Sequence, residues 1–267
     1  MQKNILITGA TDGIGLEAAK MLAVQGHNLI IHGRNPAKLA DVEKILSEMS
    51  TGGKLTSYLC DLSKLKGVQR LGAEVAENHT SLDVLINNAG VFKVQNPVTR
   101  DGLDVRFAVN TIAPYMLTKK MLPLFNRSGR IVNLSSAAQA PVDTAILAGP
   151  PRLSDGEAYA QSKLALTMWS CHMGRALKNK DPAIIAVNPA SFLGSKMVKE
   201  AYGVAGKDLS IGAEILCRAA LSDEFASASG RYFDNDSGKF SSPHADALND
   251  RKCEAVIRTI EAVLNEL

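Results

Sequence analysis

The fold of this chain is decided by one stretch near its start, Asn4-Ile5-Leu6-Ile7-Thr8-Gly9-Ala10-Thr11-Asp12-Gly13-Ile14-Gly15. The first five residues form an apolar run typical of a buried strand, and a helical pattern begins at Gly15. The three glycines permit a tight turn, close approach of the backbone to a pyrophosphate, and close packing of the helix on the strand, while the helix N-terminus adds amide donors. The stretch predicts a dinucleotide-binding turn; the alternative is a tight turn without a ligand. Its predicted cofactor-binding residues are Gly9, Thr11, Asp12, Gly13, Ile14 and Gly15.

Apolar runs and helical patterns alternate along the rest of the chain. Strands are predicted at residues 4–8, 29–32, 55–60, 84–87, 131–134, 184–188 and 231–233. Helices are predicted at residues 15–25, 36–49, 63–77, 99–124, 157–178 and 251–267. Because the strands are apolar throughout and helices lie between them, we expect an α/β fold, a doubly wound parallel sheet covered by helices on both faces.

Length and composition favour one domain spanning residues 1–267, since 46% of the residues are hydrophobic and 21% are charged. Two segments rich in glycine or proline, residues 137–156 and 191–208, each follow the carboxyl end of a predicted strand. Ligands bind at such ends in open α/β sheets, so we expect both segments to form walls of a substrate cleft.

Charge, cysteine spacing and the lengths of apolar runs argue against several classes of protein. The net charge of +3 is spread along the chain, which predicts no binding of nucleic acid. Four cysteines without C-x-x-C spacing and five histidines without paired spacing predict buried thiols and no metal site. The first strand follows Met1 closely, leaving no room for a signal or transit peptide, and no apolar run reaches the ~18 residues of a membrane span. These features predict a cytoplasmic protein without a membrane span.

Tyr159 and Lys163 stand at positions i and i+4 of a predicted helix, so they share one face. A free tyrosine titrates near pH ~10, but a cation roughly 5 Å away would favour the phenolate by about two pKa units at an effective dielectric of about 20. Tyr159 would then serve in acid–base chemistry near neutral pH. The alternative is a surface tyrosine and lysine on an amphipathic helix.

The combined motifs resemble the short-chain dehydrogenase/reductase family over nearly the whole chain. They are the glycine turn, Asn87-Asn88-Ala89-Gly90, Asn110, Ser136, Tyr159 and Lys163. The resemblance implies a single-domain Rossmann-type fold, a nicotinamide cofactor, carbonyl/alcohol chemistry, and a homodimer or homotetramer. The long interval from Ser136 to Tyr159, and Gly230-Arg231-Tyr232-Phe233, resemble the retinol dehydrogenase and protochlorophyllide reductase branch.

The same resemblance assigns roles to four residues. It makes Tyr159 the general acid, with Lys163 lowering its pKa and holding the nicotinamide ribose. It points to Ser136, rather than Ser135, as the donor to the substrate oxygen. It makes Asn110 the anchor of a water that relays protons to Lys163. The residues also favour this last role, because Pro114 has no N–H and leaves the Asn110 carbonyl without its helical partner; a kink of packing origin is the alternative.

NADP(H) is expected in preference to NAD(H). The second strand ends at His32-Gly33-Arg34-Asn35, where an NAD site usually has an acidic residue for the ribose hydroxyl, and Arg34 offers a planar fork for a 2′-phosphate. Against this, Asp12 occupies a position that is basic in many NADP-preferring members, and Arg34 could be a solvated loop residue. The further predicted cofactor contacts are Asn35, Asp61, Leu62, Asn88, Ala89, Gly90, Tyr159, Lys163 and Pro189.

Three features leave alternatives or departures from the family pattern. Asp61 could simply cap the helix that follows it. Ala190 and Ala113 both stand where glycine is common in the family, which puts the local geometry in doubt.

These patterns predict an NADP(H)-dependent oxidoreductase that moves hydride between nicotinamide and a carbonyl or alcohol. The predicted cleft walls are mostly apolar, which favours bulky lipophilic substrates. The wall residues are Ala137, Ala138, Pro141, Val142, Ile146, Leu147, Phe192, Leu193, Met197, Tyr202 and Val204, with the basic residues Arg152, Lys196, Lys199 and Lys207. The alternative function is a non-catalytic protein that senses the NADP(H) redox state.

Overall fold

One sheet of eight strands organises the part of the chain that the computed structural model describes, residues 1–177 and 182–267 without the side chains of 201 and 202. The strand order is β3-β2-β1-β4-β5-β6-β7-β8, and every neighbouring pair is parallel except the last. The strands are β1 (Asn4–Ile7), β2 (Asn28–Gly33), β3 (Leu55–Leu59), β4 (Leu82–Asn87), β5 (Phe125–Leu134), β6 (Ala183–Asn188), β7 (Tyr232–Asp234) and β8 (Lys239–Ser241).

Helices cover both faces of this sheet. They are α1 (Gly13–Val24), α2 (Pro36–Met49), α3 (Leu65–Asn78), α4 (Val105–Phe107), α5 (Ala113–Met121), α6 (Thr144–Leu147), α7 (Asp155–Ala176), α8 (Lys196–Tyr202), α9 (Leu209–Leu221) and α10 (Asp250–Asn265). In β1, Ile5 and Ile7 join the core beneath α1, α2 and α9, whereas Leu6 joins the core beneath α3, α5 and α7. This alternation of side chains gives each face of the sheet its own apolar layer. The predicted doubly wound α/β fold is confirmed.

Most predicted elements are present with shifts of one or two residues at their ends, but β5 begins at Phe125, six residues before its predicted start. Helix α2 has the predicted bounds, and α7 begins two residues earlier than predicted because Ser154 and Glu157 form a capping box. Residue 178, the predicted end of that helix, lies outside the described residues. Strand β8 and helices α6, α8 and α9 were not predicted. Strand β8 has only three residues, and α9 carries Gly212 in its interior, where a Cβ would lie 2.6 Å from Leu193 Cδ1.

The predicted helix over residues 99–124 is interrupted. Helices α4 and α5 are separated by a π-helical turn, Ala108–Ile112, in which the Ala113 N–H bonds to the Ala108 carbonyl. Pro114 lacks the N–H that would complete a regular α-helical bond to Asn110, so the ladder widens at this point. The disruption expected from Pro114 therefore takes the form of a wide turn that contains Asn110.

The two predicted wall segments follow the carboxyl ends of β5 and β6, and each contains a short helix, α6 and α8. Within the described residues, no helix combines the length and apolarity needed to cross a membrane.

Candidate active site

A cavity of about 340 Å³ lies at the carboxyl ends of the parallel strands. It is lined by most of the residues predicted from the sequence, namely Gly9, Thr11, Asp12, Gly13, Ile14, Arg34, Asp61, Leu62, Asn88, Ala89, Gly90, Tyr159, Lys163 and Pro189. Four other predicted residues, Gly15, Asn35, Asn110 and Ser136, are not part of the lining. Three of them, Gly15, Asn35 and Asn110, hold neighbouring residues in place.

The glycine turn depends on backbone conformation and on close packing. Gly9 and Gly13 have φ values of 66° and 56°, a region that favours glycine. At Gly15, a Cβ would lie 2.3 Å from Asn88 Nδ2 and 2.5 Å from the Gly9 carbonyl oxygen, so no larger side chain fits. Gly15 therefore supports the turn from behind, in agreement with its predicted packing role.

Thr8 and Asn88 tie the glycine turn to the end of β4. The Asn88 side-chain amide donates to the carbonyls of Thr8 (2.9 Å) and Gly9 (3.0 Å). Thr8 Oγ1 accepts the backbone N–H groups of Asn88 and Ala89, both at 3.1 Å. These bonds fix the distance between the two backbone segments that line the middle of the cavity.

His32 also supports the turn, and the sequence analysis did not assign it a role. Its Nδ1 accepts the Gly9 N–H at 3.2 Å, and Nε2 lies 2.9 Å from the Cys60 carbonyl oxygen. Burial lowers the pKa of His32, so the neutral ring carries its proton on Nε2 and donates it to Cys60. No local pattern marks His32 for this role, because its partner Gly9 stands 23 positions earlier in the chain.

The end of β2 lines the cavity with Gly33 and Arg34. A Cβ at Gly33 would approach Thr11 Cγ2 to 2.5 Å, which excludes an acidic side chain from this position. Arg34 is exposed and lines the cavity. Asn35 instead caps α2, because its Oδ1 accepts the Lys38 N–H at 3.0 Å.

Two carboxylates near Arg34 have partners of their own. Lys38 Nζ lies 2.6 Å from Asp12 Oδ2, and this hydrogen bond holds the pKa of Asp12 below its usual value. Burial alone would raise the pKa of Asp61, but hydrogen bonds from Ser63 outweigh it and the pKa is lowered. The charge of Asp12, which counts against NADP(H) by sequence, is thus balanced by Lys38.

Tyr159 and Lys163 lie one turn apart on α7 and both face the cavity. Lys163 Nζ is 5.7 Å from the centre of the Tyr159 ring, and Phe92 packs edge-on against that ring at 4.7 Å. Lys163 is only 4% exposed and donates to the Leu134 carbonyl at 2.7 Å. Its burial lowers its pKa to about 8, so the ammonium form prevails at neutral pH and is lost above that value.

Asn110 lies directly behind Gly90 and beside Lys163. A Cβ at Gly90 would be 3.5 Å from Asn110 Oδ1 and 3.6 Å from Lys163 Nζ. The Asn110 amide donates to the Val91 carbonyl (2.9 Å) and Ser162 Oγ (3.0 Å), while Oδ1 accepts the Val91 N–H (2.8 Å). The side chain thus joins the loop after β4 to α7 and leaves the backbone carbonyl for any other role.

The two serines after β5 have different surroundings. Ser135 is buried, lines the cavity, and its Oγ lies 2.6 Å from Thr167 Oγ1. Ser136 is half-buried; its Oγ accepts the Ala138 N–H at 3.1 Å, and its carbonyl accepts bonds from Gln139 (2.9 Å) and Tyr232 (3.4 Å). Since Ser136 Oγ accepts from Ala138, its hydroxyl hydrogen can point to another acceptor.

Helix α8 closes one side of the cavity with Ser195, Lys196, Met197 and Glu200. The Ser195 Cβ lies 3.8 Å from where a Cβ of Gly13 would stand, and Met197 Cε lies 3.8 Å from the same position at Gly90. The helix therefore spans from the glycine turn to the Asn110 side of the cavity. Ser195 and Glu200 were not predicted, because residues 191–208 carry no clear helical pattern.

The segment after β6 is strained at Ala190, which has φ 112°, a value that favours glycine. Asp236 holds this segment from outside. It accepts the Ser191 N–H at 2.9 Å, the Ser191 hydroxyl at 2.5 Å and the Asn188 amide at 3.0 Å. The replacement of glycine by alanine at this position therefore has a local cost, whereas Ala113 has a helical φ of −59° and has none.

The sequence is similar to those of several known dehydrogenases. A family model described as short chain dehydrogenase matches residues 3–203. Short-chain dehydrogenase TIC 32 A, chloroplastic, of Brassica napus is 32% identical over 251 residues, 85% of this chain and 78% of its own length. Human retinol dehydrogenase 13 is 29% identical over 263 residues, which cover 91% of this chain and 80% of its own length. Human polyprenol dehydrogenase is 31% identical over 251 residues, which cover 86% of this chain and 76% of its own length.

Solved structures give the same picture. An uncharacterised protein from Mycobacterium Paratuberculosis superposes with a TM-score of 0.80 at 25% identity, over 98% of this chain and 93% of that one. A short chain dehydrogenase from Escherichia coli CFT073, complexed with NADPH, gives a TM-score of 0.71 at 25% identity, over 87% and 96%.

The strain at Ala190 gives a first testable prediction. Ala190→Gly should raise the free energy of unfolding by about 1 kcal/mol, because glycine adopts φ 112° without steric cost. Ala113→Gly is the control; it should lower stability by about 1 kcal/mol, since glycine is a poor helix former. Urea unfolding of both variants measures the difference. Equal losses in both would show that Ala190 is unstrained.

Proposed function

The chain belongs to the short-chain dehydrogenase family and is an oxidoreductase of CH–OH and C=O groups; on that premise we propose that it uses NADP(H) in preference to NAD(H) and acts on bulky lipophilic carbonyls or alcohols. The observation that carries the proposed chemistry is the pair formed by Tyr159 and the buried Lys163 at the end of a cavity that begins at the glycine turn. Arg34 supports the cofactor preference, and apolar residues near the cavity support the substrate class. We also propose that residues 1–267 act as one nucleotide-binding domain, since all described strands belong to one sheet.

The residues present fit a nicotinamide dinucleotide. Gly9 and Gly13 leave room for a pyrophosphate beside the N-terminus of α1, and Ala89 and Gly90 present small residues along the middle of the cavity. Asn88 supports this wall through its bonds to the glycine turn. Pro189 and the Tyr159–Lys163 pair lie at the far end. When bound there, the cofactor supplies or accepts the hydride.

The proton moves through the protein's own side chains. In reduction, Tyr159 donates its hydroxyl proton to the substrate oxygen as general acid. The Lys163 ammonium favours the phenolate that remains, and it is held in place by the Leu134 carbonyl. In oxidation the same groups act in reverse, with the Tyr159 phenolate as base.

Two further residues complete the proposed chemistry. Ser136 donates its hydroxyl hydrogen to the substrate oxygen, and this direction is supported by the Ala138 N–H on its Oγ. The Asn110 carbonyl anchors the water that returns a proton to Lys163. The wide turn before Pro114 supports this role, because it leaves that carbonyl outside a regular helical ladder.

Removing the proton donor tests the mechanism. Tyr159→Phe should lower turnover at least about a hundredfold, as expected for loss of general acid catalysis, and leave NADPH affinity little changed. Tyr58→Phe is the control, because the Tyr58 hydroxyl contacts His79, away from the cavity. NADPH consumption followed optically reports turnover, and fluorescence titration reports binding. Retained turnover in Tyr159→Phe would end the assignment.

Cofactor preference is proposed to rest on Arg34, which lines the cavity next to Gly33. Its guanidinium can bond a 2′-phosphate in bidentate fashion, and Lys38 neutralises the nearby Asp12.

The corresponding experiment replaces the guanidinium. Arg34→Ala should weaken NADPH binding much more than NADH binding, since only NADPH carries the phosphate. Arg251→Ala removes the same charge from the exposed start of α10 and should change neither affinity. Equal losses for the two cofactors in Arg34→Ala would make Arg34 a structural or solvated residue.

Apolar surface near the cavity supports the substrate proposal. Phe192 is 54% exposed and Val204 43%, and Val91, Phe92 and Met197 line the cavity. Two of the basic wall residues have acidic partners: Lys196 pairs with Glu200 (3.5 Å) and Lys207 lies 3.9 Å from Asp236. Two predicted wall residues, Leu147 and Leu193, are instead fully buried in the protein, and the side chain of Tyr202 lies outside the described residues.

A substrate series tests this proposal directly. The kcat/KM values of straight-chain aldehydes should rise with chain length, and a keto acid should be a poorer substrate than the long aldehydes, because its carboxylate would be desolvated without a convergent cation. Steady-state NADPH oxidation gives both measurements. A flat series, or a keto acid with the highest kcat/KM, would overturn the lipophilic preference.

The alternative of a non-catalytic redox sensor predicts binding without turnover, and the intact Tyr159–Lys163 pair argues against it.

We further propose a cytoplasmic location, supported by four free cysteines, three of them buried. Homo-oligomer formation stays a proposal from the family resemblance. It would need a surface other than the side of α7 on which α10 packs, where Arg175 and His172 contact Asp250.

A further inference from the structure

Arg106 is a buried guanidinium for which the proposed mechanism has no use. It is 1% exposed and lies in α4, directly before the π-helical turn that carries Asn110. Its Nε and one terminal nitrogen donate to the carboxylate of Asp104, itself fully buried, at 2.8 and 2.6 Å. Its other terminal nitrogen donates to Asp155. A side chain that is buried, charged and bonded at three nitrogens holds one fixed orientation.

The contact with Asp155 reaches the helix that carries Tyr159. Asp155 is the first residue of α7, and positions 155, 159 and 163 are successive i, i+4 neighbours on one helix face. The Arg106 guanidinium therefore binds the face of α7 that also carries Tyr159 and Lys163. The capping box at the same end of α7 joins only Ser154 and Glu157 to each other, so it does not link α7 to α4.

A second link joins the same two elements beyond Tyr159. The Asn110 amide donates to Ser162 Oγ at 3.0 Å, and Thr111 Oγ1 donates to the Ser162 carbonyl at 2.8 Å. Ser162 Oγ in turn donates to the Tyr159 carbonyl at 2.7 Å. Tyr159 thus lies between one cross-link at residue 155 and another at residue 162, both of which lead to the segment from Arg106 to Thr111.

We propose that Arg106, through Asp155, is a positioning residue for Tyr159, setting the register of α7 against the turn that carries Asn110. The inference rests on the proposed function, because it assigns Tyr159 to proton transfer. Asp104 anchors the other end of the link: its carboxylate also accepts the Arg106 N–H, and its own N–H bonds to the Gly149 carbonyl at 3.1 Å. Arg106 is not part of the cavity lining, so it would act by fixing the position of Tyr159 relative to the reacting oxygen.

The experiment alters Asp155, because loss of Arg106 would leave Asp104 buried without a partner and could prevent folding. Asp155 is 42% exposed, and in its absence Arg106 keeps Asp104. Asp155→Ala should lower kcat about tenfold, since a displacement of ~1 Å at a reacting group can cost up to about a hundredfold. The KM for NADPH should stay within twofold of the parent value, and Asp155→Glu should recover most of the lost kcat.

Glu157→Ala is the matched control, because it removes one carboxylate from the same first turn of α7 without touching Arg106. It should lower the melting temperature at least as much as Asp155→Ala, through loss of the capping box, yet keep kcat within twofold of the parent protein. If Asp155 had a purely structural role, the variant with the lower melting temperature would also have the lower kcat.

Three results would overturn the inference: equal kcat values in Asp155→Ala and Glu157→Ala, a raised KM with unchanged kcat in Asp155→Ala, or no recovery in Asp155→Glu. The proposed function is judged separately, by the turnover of the parent protein and of Tyr159→Phe. An active parent protein with an inactive Tyr159→Phe and a normal Asp155→Ala would leave the function standing and remove only the role of Arg106.

Discussion

The buried ammonium of Lys163 is the interaction on which the rest of the site depends. Desolvation of a charge costs several kcal/mol unless hydrogen bonds compensate for it, and here the Leu134 carbonyl at the end of β5 provides one. That bond docks α7 onto the centre of the sheet. Burial lowers the pKa of Lys163 to about 8, low enough to exchange a proton near neutral pH and high enough to stay charged. Tyr159, Asn110 and Gly90 all lie close to this nitrogen.

Close backbone approach is the second constraint, and it explains why small residues occupy the cavity floor. The missing Cβ at Gly15 leaves space for the Asn88 amide, which donates to the glycine turn. The missing Cβ at Gly33 leaves space for the Thr11 methyl group, at a position where NAD sites usually have an acidic residue. The turn and the proposed cofactor preference thus share one physical basis, the absence of a Cβ at Gly15 and Gly33. Ala190 is the exception, since it adopts a glycine-like conformation and is held there by the bonds from Asp236 to Ser191 and Asn188.

The fold was predictable because its signals are local. Apolar strands, glycine turns and the proline at residue 114 act on their own neighbours, and the seven predicted strands and the bounds of α2 follow from them. Contacts between distant residues were not predictable: His32 on Gly9, Lys38 on Asp12, and Arg106 on Asp155 join residues whose own neighbourhoods carry no sign of the partner. Helix α9 escaped prediction because it is largely buried and contains Gly212, and α8 because its segment is rich in glycine. The motifs therefore identified most of the residues that line the candidate site, while the bonds that support them required the structure.

Transfer of deuterium from the cofactor tests the central claim most directly. NADPH deuterated at both C4 positions is incubated with the protein and a long-chain aldehyde, and the alcohol product is analysed by mass spectrometry and NMR. The account predicts one deuterium on the former carbonyl carbon, and at least about a hundredfold less labelled alcohol in the same time from Tyr159→Phe. NADPH that binds at one equivalent per chain, yet yields no labelled product from aldehydes, ketones or quinones, would contradict the account and favour a redox sensor.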